Sequence, residues 1–214
     1  MPTRFKQGFT MTQQDQRRSA PSALRNRETI ANILQSVLPD SGVVLEIGSG
    51  TGEHVIHFAE KFGNLTFQPT ERDPVKLESI IAWTEETKLP NIRHPFAFDL
   101  LEDDAPIEKA DAVISANVIH IAPWAATVAL FKLAGQLLPS DAPLFFYGPF
   151  HRSDIETAPS NVAFDAKLHA ENPGGGLRHI DDMTALGIEK GFTPPTIIEM
   201  PANNLSVIFK KTTC

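Results

Sequence analysis

Residues 45–54 read LEIGSGTGEH, and the glycines at 48, 50 and 52 constrain the fold more than any other stretch. They follow VVLEIG, a short apolar run rich in β-branched residues, as expected of a strand buried on both faces of a parallel sheet. Val55, Ile56, Phe58, Ala59 and Phe62 then recur at helical spacing. Glycine loses more conformational entropy on folding than any other residue. A cluster at a strand-to-helix junction therefore implies positive φ, or backbone brought close to another body. Such a turn lies at the carboxyl edge of a doubly wound sheet, where nucleotide-like ligands bind.

The rest of the chain repeats the unit. A helix is predicted from about residue 22 to 38, stopped by Pro39 and Gly42. Strands are predicted at 65–71, 94–100, 111–117 and 142–150, and helices at 73–89 and 124–138. Asp73 and Pro74 supply the cap and first position of the 73–89 helix. After a loop-rich stretch come a helix over 181–192 and two strands, 196–201 and 205–211, close enough to form an antiparallel hairpin. Alternating strands and helices predict an α/β fold with a doubly wound, mostly parallel, Rossmann-like sheet and a C-terminal antiparallel hairpin at one edge. Residues 1–18 are polar without clear periodicity and are expected to form a flexible N-terminal arm; 19–214 read as one domain.

Composition narrows the partners. A net charge of -7 argues against backbone-driven nucleic-acid binding, which needs a basic face. No apolar run reaches membrane-spanning length. The single cysteine, Cys214, permits no internal disulfide and builds no zinc site, which suits a cytoplasmic protein without a metal. Oligomeric state is not legible.

Three loop chemistries compete for the glycines. A Walker loop ends in Gly-Lys-Ser/Thr, whereas Glu53 and His54 follow Gly52. The dinucleotide fingerprint G-x-G-x-x-G needs glycine where Glu53 stands. The pattern Glu46, Gly48, Gly50, Gly52 instead resembles the S-adenosylmethionine loop of class I methyltransferases. Ser49 within the loop and His54 just after it join the expected contacts. Glu71 ends the second strand, 19 residues after Gly52, placed to accept hydrogen bonds from ribose hydroxyls. Asp99, with Leu100 beside it, ends the third strand where an adenine amino group would donate. Asn117 and Ile119 end the fourth, beneath the adenine. A helix cap explains Glu71 and Asp73 as well, and a turn explains Asp99. Acids at two successive strand ends after such a loop favour cofactor binding.

The segments APSALRNRETI, LEIGSGTGEHVIHFA, FQPTERD, NVIHIAPW, FFYGPFHR, PSNVAFDAKLHAENP and EMPANNLSVIF resemble the methyltransferase-like protein 26 family, domain of unknown function 938, from about residue 18 onward. The resemblance implies a class I methyltransferase fold and S-adenosylmethionine as cofactor, and leaves the reaction open. Glu71 stands where that family often has aspartate, which lengthens the ribose contact by one methylene.

Methyl transfer is an in-line displacement that asks the protein to align two reactants and exclude water. His120 is the first candidate for a base or orienting group, since its ordinary pKa lies near neutrality; a capping or core histidine fits the same position. Tyr147, the only tyrosine, ends the fifth strand beside the expected methyl site, with a buried phenol as the alternative. Trp124, Phe150, His151, Asn161, Asp165, Asn203 and Asn204 are the expected substrate-binding set. Asn161 and Asp165 share a face if 160–169 is helical, and hairpin chemistry alone also accounts for the two carboxamides of the ANN turn. Arg25 and Asn26 reach the cofactor's methionine carboxylate if the N-terminal segment folds over the cleft. Two functions follow: a methyltransferase acting on a small molecule, or a non-catalytic S-adenosylmethionine-binding sensor or partner.

Overall fold

The computed structural model describes residues 15–213. In chain order the elements are α1 (Pro21–Leu34), β1 (Gly42–Ile47), α2 (Glu53–Lys61), β2 (Leu65–Glu71), α3 (Pro74–Thr87), β3 (Phe96–Ala97), β4 (Ala112–Ala116), α4 (Val118–Ile121), α5 (Trp124–Leu137), β5 (Pro143–Gly148), β6 (Phe150–His151), α6 (Pro159–Glu171), β7 (Arg178–His179), α7 (Ile180–Glu189), β8 (Thr196–Met200) and β9 (Asn204–Lys210). The fold is α/β, built on a seven-stranded sheet in the order β3-β2-β1-β4-β5-β9-β8. Every pairing is parallel except those of β9, which runs antiparallel to both β5 and β8. The hairpin thus closes the sheet as expected, with one refinement. Its second strand inserts beside β5 and leaves β8 at the edge.

Alternation along the buried strands divides the core between two faces. Val44 of β1 joins Ile30, Leu34, Val55, Phe58 and Ile80 from α1, α2 and α3. Leu45 and Ile47 join Leu130, Phe131, Met183 and Leu186 from α5 and α7. Strands buried on both sides explain why VVLEIG and APLFF read as continuous apolar runs rather than alternating ones.

Two predicted elements come out shorter. The helix expected to reach 38 ends at Leu34 and continues as tight turns, with Ser36 and Val37 N–H bonded three residues back. The third strand, expected over 94–100, keeps only Phe96–Ala97. Phe67 and Arg93 exchange backbone bonds with one another's neighbourhood before it, and Phe98 N–H bonds the Glu71 carbonyl after it. The ladder breaks at Pro95, which has no N–H to donate.

Most of the expected N-terminal arm, residues 1–14, lies outside the described residues. The part that is described docks on α3: Arg18 N–H donates to Ser79 Oγ at 2.8 Å, Trp83 Nε1 donates to the Arg18 carbonyl at 2.9 Å, and the Arg17 guanidinium lies 5.1 Å from the Trp83 ring centre.

Candidate active site

The carboxyl ends of β1, β2, β4 and β5 meet at one edge. The loop after β1 turns on Gly48, Gly50 and Gly52, whose φ angles are +67°, +59° and +102°. A β-carbon at Gly50 would meet no atom within 4 Å, so the loop presents bare backbone to open space there. Glu71 fixes the loop from the next strand end. Its Oε2 accepts from Gly50 N–H at 2.9 Å, and its Oε1 accepts from the N–H groups of Arg72 and Asp73 at 3.0 and 3.1 Å. A carboxylate has about four lone-pair sites, so Glu71 keeps acceptor capacity while buried.

Glu46 lies beneath the same loop, 3% exposed, with Oε2 unpartnered among the described residues. Burial pushes its carboxyl up to about 7, the neighbouring Ser49 hydroxyl pulls against that rise, and the Glu71 charge adds to it. Ser49 Oγ is likewise buried with no hydrogen-bond partner within reach among the described residues. Glu46 Oε2 and Ser49 Oγ are thus two neighbouring buried polar atoms under the glycine turn, neither holding a formed hydrogen bond among the described residues.

Asp99 stands on the third strand's exit loop, half-buried. Its Oδ1 accepts from Leu101 N–H at 2.9 Å, and Arg72 approaches Oδ2 at 3.4 Å. Leu100 packs against the core beside it. Asn117 takes the left-handed conformation, φ 62°, and its N–H bonds the Tyr147 carbonyl, locking the ends of β4 and β5 together. Ile119 is buried in the core cluster formed with α5 and α7.

From α1, Asn26 reaches the edge: its Oδ1 is 2.7 Å from His54 Nε2, and the His54 ring stacks on Phe58 with centres 5.5 Å apart. Burial holds His54 down to about 4, with Glu53 opposing the shift. Tyr147 is buried among the residues under α1; burial raises its phenol, and Asn26 restrains the rise. Arg25 is exposed on α1 and makes no polar side-chain contact among the described residues.

His120 is the most confined group of the set. It is 1% exposed, and neither ring nitrogen has a partner among the described residues. Burial drives its pKa down to about 3, helped by the charge of Arg178. Its ring meets Phe150 edge-on at 4.8 Å. It is therefore a neutral imidazole with one donor and one acceptor to offer.

Around it, His151 bonds Thr157 through Nδ1 at 2.8 Å and faces Asp165 Oδ2 through Nε2 at 3.3 Å. Asp165 Oδ1 also accepts from Leu177 N–H at 2.7 Å. Helix α6 forms as the Asn161–Asp165 spacing required, yet the two do different work. Asn161 Nδ2 donates to the Asn203 carbonyl at 2.8 Å and ties α6 to the β8–β9 turn. Asn203 Nδ2 donates to Ser160 Oγ at 3.1 Å, and Asn204 Nδ2 to the Pro201 carbonyl at 3.0 Å, so Asn204 serves the hairpin turn. A cavity of about 140 Å³ lies here, lined by Phe150, Arg152, Thr157, Asn161, Asn203 and Leu205.

One buried cation escaped the sequence reading. Arg178 is 8% exposed, and burial holds its guanidinium below the usual value. Its Nε donates to the Ile119 carbonyl at 2.8 Å, and its Nη2 donates to the carbonyls of Ala122 and Gly174. Trp124, 38% exposed at the start of α5, has its ring centre 5.8 Å from that guanidinium. The signal was an arginine between Leu177 and Ile180 after three glycines, a cation set in a short stretch flanked by apolar residues.

The sequence matches, over residues 17–211, the family model described as Protein of unknown function (DUF938). Solved structures share the fold at low identity. A putative O-methyltransferase from Nostoc punctiforme aligns with TM-score 0.77 at 18% identity, covering 89% of this chain and 57% of its own. Mitomycin 7-O-methyltransferase aligns with TM-score 0.76 at 18% identity over 89% of this chain and 54% of that one. Human N-acetylserotonin methyltransferase, solved with S-adenosylmethionine, aligns with TM-score 0.73 at 13% identity over 90% and 53%. The chain thus spans little more than half the length of these structures.

Proposed function

The chain belongs to the DUF938 family, and we propose that it is an S-adenosylmethionine-dependent methyltransferase acting on a small molecule. The observation that carries this reading is the loop at the β1–α2 junction, which bares its backbone at Gly50 while Glu71 holds it through the Gly50 N–H. Beneath it lie the unpartnered buried Glu46 Oε2 and Ser49 Oγ. These groups suit an adenosyl ligand with a cationic amino-acid tail. The segments resembling methyltransferase-like protein 26, and the small-molecule O-methyltransferases among the structural neighbours, support the same reading.

When bound, S-adenosylmethionine supplies an electrophilic methyl on a cationic sulfur. Glu71 would accept from the ribose hydroxyls, Asp99 from the adenine amino group, and Glu46 would face the positive tail. Asn117 would hold the floor between β4 and β5. His120, neutral and without a partner, would orient the acceptor. It would accept a hydrogen bond from an acceptor hydroxyl at one nitrogen, so that an oxygen lone pair points toward the methyl, and the hydroxyl proton would pass on to solvent as the new C–O bond replaces the C–S bond. The cavity beside Phe150 and Asn161 would house the rest of the acceptor.

Label transfer from methyl-labelled cofactor into a metabolite extract tests the reaction. The account expects one or a few small acceptors to take up label, and the His120→Leu variant to transfer little. A chain that binds the cofactor but labels nothing would be a sensor rather than an enzyme.

A further inference from the structure

A buried cation ordinarily sits against a carboxylate, because removing charge from water costs several kcal/mol unless a counter-charge or full hydrogen bonding replaces the lost hydration. Arg178 departs from that rule. Its protein partners are three main-chain carbonyls, held by Nε and Nη2, while Nη1 has no partner among the described residues and is the edge of the guanidinium open to solvent. No carboxylate lies within ion-pair distance of it among the described residues. Asp165, the nearest acid to influence it, is committed elsewhere: to Leu177 N–H and His169 through Oδ1, and to His151 through Oδ2.

Two further features converge on the same place. Arg178 pairs in register with Phe150 across the small β6–β7 ladder, and the Phe150 ring lies against His120. The carbonyls that hold the guanidinium belong to Ile119 and Ala122, which bracket His120 and Ile121 in the chain. A cation without a counter-charge, one edge of it open to solvent, thus lies beside an imidazole whose two nitrogens have no partner among the described residues, with the exposed Trp124 ring next to the guanidinium. Carbonyl dipoles position the guanidinium without neutralising it. An oxyanion supplies both the missing charge and the missing acceptor at Nη1.

We propose that Arg178 and His120 form an oxyanion subsite, so that the acceptor carries a carboxylate or phosphate group next to the hydroxyl that His120 orients. The word acceptor rests on the transferase reading; the anion subsite itself does not.

The test uses three ring-matched probes (phenol, salicylate and phenyl phosphate) titrated into the full chain with and without saturating S-adenosylhomocysteine, and followed by nuclear magnetic resonance at the Arg178 Nε–H and Trp124 Nε1–H signals. A hydrogen bond to a charged group corresponds to an affinity gain of about tenfold or more. The expected result is that one or both anions bind at least about tenfold more tightly than phenol and move the Arg178 signal. Arg178→Gln should erase that margin while leaving S-adenosylhomocysteine affinity within about twofold. Salicylate leading would assign a carboxylate-bearing acceptor, and phenyl phosphate leading a phosphate-bearing one. Equal affinity for all three probes in the wild-type chain, or an anion preference that survives in a folded Arg178→Gln chain, would overturn the inference. The wild-type comparison decides alone if that variant does not fold. Anion preference without any uptake of S-adenosylhomocysteine would keep the subsite and remove the cofactor reading instead.

Discussion

The His120 imidazole occupies the space that a side chain at position 148 would need: a β-carbon added to Gly148 would lie 2.5 Å from Nε2. The end of β5 and the loop after β4 are therefore fitted to each other, and the glycine is what lets the imidazole sit under the edge of the sheet. Gly148→Ala should displace the ring, destabilise the fold by about 1–3 kcal/mol as overpacking does, and reduce transfer. Chemical denaturation and labelled-methyl assays check both. A variant with unchanged stability and turnover would mean that the imidazole moves freely, contrary to its enclosure.

His120 itself stores a cost. Both nitrogens are buried without partners among the described residues, and an unsatisfied buried polar group costs about 1–3 kcal/mol. His120→Leu should therefore raise the midpoint of urea unfolding while lowering transfer by about a hundredfold, the scale of a misplaced acceptor. Stability gained together with activity kept would make His120 a core residue and nothing more.

The pH dependence separates two buried groups of opposite sign. His120 is held at about 3, below its ordinary 6.5. The unfolded chain takes up the proton first, so this stability is full above pH 6.5 and is lost as pH falls toward 3. Glu46 is raised from 4.5 to about 7. The folded chain holds that proton more tightly, so this stability is present below pH 4.5 and is lost as pH rises to 7. Each pKa unit is worth about 1.4 kcal/mol. Between pH 6.5 and 5 the wild type should lose about 2 kcal/mol relative to His120→Leu. Between pH 5 and 7 it should lose about 2–3 kcal/mol relative to Glu46→Gln. Denaturant titrations of the three chains at pH 5, 6 and 7 measure both differences, and parallel curves would contradict both assignments.

Glu71 holds the glycine loop, and under the proposed function it also takes the ribose. Its three backbone bonds to Gly50, Arg72 and Asp73 are charge-assisted. Glu71→Ala should weaken S-adenosylhomocysteine by about thirtyfold or more, from the loss of hydrogen bonds to a charged group worth about 1.5–3 kcal/mol each. Glu71→Asp should retain much of the affinity. Calorimetric affinity unaltered in the alanine variant would remove Glu71 from the site.

The sequence displayed the strand–glycine–helix unit because three signals coincide there: a β-branched run, glycines at alternate positions, and helical spacing after Gly52. Sheet order was less visible. A two-strand hairpin at the chain's end says nothing about which strand touches β5, and β9 sits inside the edge strand β8 because its Leu205, Val207 and Phe209 bury against α5 and α7. The site divides the same way. The placement of Glu46, Glu71 and His120 at one edge of the sheet was legible because strand ends fix where their side chains emerge. Arg178 was not, since its partners are main-chain carbonyls of α4 and the loops flanking it, which leave no pattern in side-chain type. Asn161, Asn203 and Asn204 are read from the sequence as substrate contacts, and in the fold their hydrogen bonds fasten α6 and the hairpin turn, with Asn161 and Asn203 also lining the cavity.

Isothermal titration of the full chain with S-adenosylmethionine, S-adenosylhomocysteine and NAD tests the central claim most directly. One site per chain for each sulfur ligand, with no heat from NAD, is the predicted result. NAD binding while both sulfur ligands are refused, or no binding of any of the three, would contradict it.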